Sequence, residues 1–220
     1  MRTFLFFFST ILILCSVGCT KHEAVIDTSL QVGHILCSDG SILHPEIYEP
    51  NSKTAIGIIF WVNDGKTNLT SDKALAVSLV DLDAAILIDS DKDISNVSEN
   101  MNSFDGAGNT TAIMVEALKD SLDYPAVKSA VEYSPNGVTG WYIGSVAQNK
   151  AVASALSKII KPLQNAGGTE FEGWYWSSTE DGAGKDNPQV FGMITSLNEG
   201  MATASSKTNK FKVRPIISIR

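Results

Sequence analysis

Apolar and polar positions change rhythm several times along this chain, and each change marks an element. After a mixed polar stretch up to Leu30, "GHILCSDGSILHPEIY" sets two short apolar runs around Ser38-Asp39-Gly40, which predicts a β-hairpin. "TAIGIIFWVND", Thr54 to Asp64, is β-branched and aromatic and closes on Asn63-Asp64-Gly65, so it reads as a buried strand stopped by a turn. Alternating apolar positions predict one further strand over Ala74 to Leu82. Residues 89 to 110 are polar and turn-rich and mark the longest loop. Helical spacing follows twice. Thr110-Thr111 are placed to cap a first helix with Ile113, Ala117 and Leu118 on one face. A second helix carries Val152, Ala155, Leu156, Ile159 and Ile160, is kinked or shortened by Pro162, and ends at Gly167-Gly168. Strands then return in "GWYWSST", "QVFGMITSL", "MATASS" and "KFKVRPIISI". No repeat is visible, and the order predicts an α+β fold with antiparallel sheets and two helices, behind an N-terminal β-hairpin.

The first residues follow a different logic. Phe4 to Leu14 form an apolar run behind Arg2, the layout of a secretory signal peptide and too short for a span of ~20 residues. Small residues precede Cys19, so Ser16-Val17-Gly18-Cys19 resembles a lipobox with serine where leucine is usual. Residues 1–18 are then the leader, Cys19 the lipid attachment site, and 19–31 a tether; the expected partner is the membrane through that lipid. Lipidation of Cys19 leaves Cys37 without a disulfide partner, so the domain must rest on its core. Hydrophobic residues at 44% supply one. A net charge of −7 argues against nucleic acid.

A resemblance appears in the C-terminal part. "GWYIGS" (Gly140 to Ser145), a helix ending "LQNAGG", "GWYWSSTE" (Gly173 to Glu180) and "KVRPIIS" (Lys212 to Ser218) resemble the C-terminal domain of many Bacteroidetes surface lipoproteins, a relative of the C-type lectin-like and formylglycine-generating-enzyme-like fold. The segment from Val32 to Asp64 is similar to the one that precedes it there. The likeness spans 32–220, with an N-terminal β part (32–88) and a C-terminal part (110–220). It departs from the family at Ile143-Gly144-Ser145, where proline and a following acid are usual. It implies a lectin-like fold, an outer-membrane lipoprotein exposed at the cell surface, and recognition of a glycan or protein. An accessory role in a fimbria or envelope complex is the alternative.

The site residues are weighed against this frame. Alternation puts Trp174 and Trp176 on one face of a strand and Tyr175 and Ser177 on the other. The tryptophans are core by resemblance, and Tyr175 either joins a core or offers a ring to a sugar. Ser177, Ser178 and Thr179 satisfy backbone groups at a strand end rather than act as nucleophiles, with no histidine near in sequence. Arg214 is, by resemblance, a structural clamp with Glu180 as one partner. Glu180, Asp181, Asp186 and Asn187 lie in the acidic loop "EDGAGKDNP", the first expectation for a contact surface. Asp89, Asp91 and Asp93 begin like a calcium loop, but Ile94 and Asn100 stand where glycine and glutamate belong. "EPN" (Glu49 to Asn51) and "WVND" (Trp61 to Asp64) read as turns. Cys37, flanked by His34 and His44, reads as a buried structural thiol. No metal, cofactor or catalytic residue is expected.

Overall fold

The computed structural model describes residues 29–66, 69–183 and 187–220. The leader, Cys19, most of the tether and Asp186 lie outside the described residues.

Eleven strands form two sheets in the described residues. The first has six strands in the order β2 (Ile42–Leu43), β1 (Ile35–Cys37), β3 (Ala55–Val62), β4 (Ala74–Ser78), β11 (Pro215–Ile219), β6 (Trp141–Ile143). The second has five: β5 (Leu82–Ala85), β10 (Phe211–Val213), β7 (Tyr175–Glu180), β8 (Phe191–Thr195), β9 (Ala202–Ser206). Neighbouring strands run antiparallel except β10 and β7, which pair in parallel at Lys212 and Tyr175. Four helices complete an α+β fold: α1 (Gly106–Asp120), α2 (Pro125–Glu132), α3 (Val146–Asn165) and a single turn, α4 (Asn187–Val190).

The alternating stretch Ala74 to Leu82 is not one strand. It breaks after Ser78, and the chain passes from the first sheet to the second before resuming at Leu82. The last two strands make the same passage in reverse: β10 lies in the second sheet, β11 in the first, with Arg214 alone between them.

The helices differ from the expectation in number and in their starts. α1 begins at Gly106, capped by Asp105, whose Oδ1 accepts the Gly108 N–H at 2.8 Å. Glycines in the first turn disguise it as loop. Thr110 is no cap: it is buried, and its Oγ1 both accepts from the Ile143 N–H and donates to the Ile143 carbonyl. Leu118 is 62% exposed, because the buried face runs through Gly106, Asn109, Thr110, Ile113 and Ala117. α2, with Pro125 in its first turn, was not foreseen; it buries Ala126, Val127 and Ala130. α3 opens on a capping box between Ser145 and Gln148. It continues through Pro162 to Asn165, and Gly167, at φ +74°, closes it.

One core lies between the first sheet and α3, with Ile58, Phe60, Val77, Val152, Ile159 and Tyr175 among its members. A second lies under α1, α2 and the second sheet, around Ile113, Val127, Trp176, Ile194 and Val213. A third covers the outer face of the first sheet with Leu36, Ile56, Ile59 and Trp141. β7 runs between the first two cores, so all six of its residues are buried.

Candidate functional site

The alternation expected along "GWYWSST" holds, and both of its faces are covered. Trp176 enters the second core, donates its Nε1–H to the Ala85 carbonyl at 2.8 Å, and meets Phe211 edge-on at 5.2 Å. Trp174 packs half-buried beside it. Tyr175 belongs to the first core and is 1% exposed. Its hydroxyl donates to Asp81 Oδ2 at 3.1 Å and accepts the Glu172 N–H at 2.9 Å, while Lys212 Nζ stands 4.9 Å from its ring centre. That ring has no open face for a sugar, which corrects the platform expectation. The hydroxyls beyond it serve the backbone. Ser177 donates to the Met193 carbonyl at 2.8 Å, Ser178 to that of Gly106 at 3.4 Å, and Thr179 Oγ1 accepts the Val146 N–H at 3.1 Å.

Arg214 is a clamp, but its acidic partner is Asp81 rather than Glu180. Nη1 donates to Asp81 Oδ1 at 2.7 Å and Thr169 Oγ1 at 3.0 Å. Nε donates to the Ser78 carbonyl at 2.9 Å, and Nη2 to the carbonyls of Leu79 at 2.8 Å and Thr169 at 2.9 Å. The planar fork thus spans the segment where β4 gives way to β5, with Phe171 stacked 4.5 Å from the guanidinium. Lys212 adds a second cation to Asp81 at 2.7 Å.

Glu180 is corrected as a ligand residue. It is 1% exposed and paired with Lys207, itself fully buried. Burial pushes its carboxyl up to about 7, with Lys207 pulling the other way. Sequence reasoning missed Lys207, which sits in the polar turn "SSKTNK" without any periodic signal. Asp181 and Asn187 do come together, on each other: Asp181 Oδ2 accepts from Asn187 Nδ2 at 2.8 Å, and its Oδ1 accepts the Ala183 N–H at 3.0 Å. Asp181 is 8% exposed and acts first as a staple of its own loop.

The long loop after β5 meets that staple. Backbone of Glu180 donates to the Ser98 carbonyl at 3.2 Å, and Ile94 donates its N–H to the Glu180 carboxylate. Between the loops opens a concavity of about 500 Å³, lined by Glu99 to Asn102 and Asp181 to Ala183, with Met101 44% exposed. The two polar loops singled out separately in the sequence thus form one surface, which is the candidate contact site. Asp89, Asp91 and Asp93 do not converge with it on an ion. No group of three or more His, Cys, Asp or Glu side chains suited to a metal exists among the described residues.

The remaining motifs are structural. Asn63 of "WVND" donates to the carbonyls of Thr70 and Asp72, both at 3.1 Å. Cys37 is buried, which raises its thiol pKa and keeps it from the reactive thiolate form. His34 and His44 meet edge to face at 5.3 Å.

No family model matches the chain, and no curated protein does. A solved structure does. The fold is similar to that of a fimbrial protein from Bacteroides ovatus ATCC 8483, with a TM-score of 0.64 over 85% of this chain at 19% identity. The likeness covers 48% of that protein, so this chain spans about half its length. It establishes a shared fold.

Proposed function

We propose that the chain is a non-catalytic accessory subunit of a fimbria, or of a related envelope assembly, held at the outer membrane by lipid on Cys19 and exposed at the cell surface. The observation that carries this reading is the fold shared with the Bacteroides fimbrial protein. The absorbed aromatics add to it, since Tyr175 and Trp176 are spent on the two cores. The contact surface in this reading is the concavity between Glu99–Asn102 and Asp181–Ala183.

The test is to tag the full chain in a Bacteroidetes host, shear the surface filaments and follow the tag. Co-fractionation with filaments and a pilin-like subunit supports the proposal. A chain that remains wholly in the membrane with no filament protein attached overturns it.

Glycan recognition by a C-type lectin-like domain is the second reading. It draws on the "GWYWSST" to "VRP" resemblance and on the amides and carboxylates at the rim of the same concavity. A glycan array read with calcium and again with chelator tests it.

A further inference from the structure

Lys207 rises from the turn between β9 and β10 into the interior, and its three ammonium hydrogens go to three separate stretches of chain. One reaches the Lys92 carbonyl at 2.9 Å, one the Pro188 carbonyl in α4, and one the Glu180 carboxylate at the end of β7. An ammonium has three donors, so this one is fully used. Glu180 in turn receives the Ile94 N–H at 3.3 and 3.4 Å on its two oxygens. The backbone of Lys207 joins in, its N–H donating to the Val190 carbonyl and its carbonyl accepting from the Leu87 N–H, both at 2.9 Å.

The loop around 92–98 and the turn 187–190 therefore share one buried anchor. Each has other ties. The loop is also held by the Asn109 side chain at Ser98, and the turn by Asn187 on Asp181. The link common to both is the pair, and neither charge can stay in the interior once the other is withdrawn.

We propose that Lys207 and Glu180 form a latch through which the 92–98 loop and the 187–190 turn open and close as one unit, setting the shape of the concavity between Glu99–Asn102 and Asp181–Ala183. The inference is independent of the fimbrial reading. A buried link that draws on two loops at once makes their openings a single event rather than two.

Amide hydrogen exchange on the full chain, purified in detergent and held above about pH 7 so that Glu180 is ionised, tests it. In Lys207→Met, exchange in 92–98 and in 187–191 should quicken together by about tenfold or more, while α3 and the β3–β4 pair keep their protection. Glu180→Gln retains an acceptor for Lys207 but removes the charge, so a smaller increase should appear in the same two segments. If Lys207→Met does not fold, Glu180→Gln decides by the same criterion. Loosening of one segment without the other, or unchanged protection in both, overturns the latch.

Discussion

Arg214 Nη1 lies 2.7 Å from Asp81 Oδ1, across 133 residues of sequence, and each partner stands where the chain passes between sheets. Asp81 precedes β5; Arg214 separates β10 from β11. The contact fixes both passages at once. Removing Arg214 withdraws a donor from three backbone carbonyls, of which that of Leu79 keeps the Thr169 N–H, whereas removing the charge of Asp81 leaves the rest of the fork in place. Arg214→Met is expected to cost about 3–5 kcal/mol, in the range of breaking a buried pair. Asp81→Asn should cost about 1–3 kcal/mol. Urea unfolding followed by tryptophan fluorescence measures both, and the order of the two is the critical result.

Glu180 sets a pH dependence of unusual sign. Its folded-state value of about 7 lies above the ordinary 4.5, so between those values the folded chain holds a proton that the unfolded chain has released. Stability from this group is complete below the ordinary value and is lost as pH rises through about 7. The stability of the natural chain relative to Glu180→Gln should therefore fall from about pH 5 to about pH 8. Thermal melts of both proteins across that range measure it, and a difference that grows with pH contradicts the assignment.

Gly106 is packed where no side chain fits. A β-carbon there meets the Ser145 nitrogen at 2.7 Å and the Ile143 carbonyl oxygen at 2.8 Å, both backbone atoms. Gly106→Ala should lower stability by about 1–3 kcal/mol through overpacking of α1 against β6. Gly40→Ala, in an open turn at φ +82°, should cost about 1 kcal/mol through backbone strain alone. Calorimetry on the two variants separates the effects.

Tyr175→Phe removes one hydroxyl and its two hydrogen bonds, with an expected loss of about 1–2 kcal/mol. Trp176→Ala empties part of the second core and should cost about 3–5 kcal/mol. Because Tyr175 is internal, the phenylalanine variant should bind any ligand of the protein with unchanged affinity, measurable by calorimetric titration once a ligand is found.

The hairpin at Ser38-Asp39-Gly40, strand β3, the end of α3 at Gly167 and the C-terminal strands were legible because turn residues or β-branched runs mark them locally. The passage at Leu79 to Asp81 was not, since the apolar alternation carries on from Ala74 to Leu82 with no turn residue such as glycine or proline, and its break is held by Arg214 from the far end of the chain. The start of α1 is hidden in the sequence because Gly106 and Gly108 look like loop; their role is close packing against Ser145 and Asp105. The site was half legible. Its two loops stood out by composition and the arginine clamp by resemblance, but the partner of Glu180 is Lys207 and not Arg214. A lysine in a polar turn carries no sign that it points inward. Alternation alone puts Tyr175 on its face of β7, and only tertiary packing decides that α3 covers that face.

The last two strands also dictate when this fold can close. β10 is inserted between β5 and β7, and β11 between β4 and β6, so each sheet is completed in its interior by residues from the last stretch of the sequence. A nascent chain has two open gaps where those strands belong and cannot close either. Closure of both sheets thus waits until the chain is available as far as Ile219. A product truncated before Phe211 therefore lacks an interior strand of each sheet, and is expected to be cut readily by proteases rather than to behave as a smaller version of the protein.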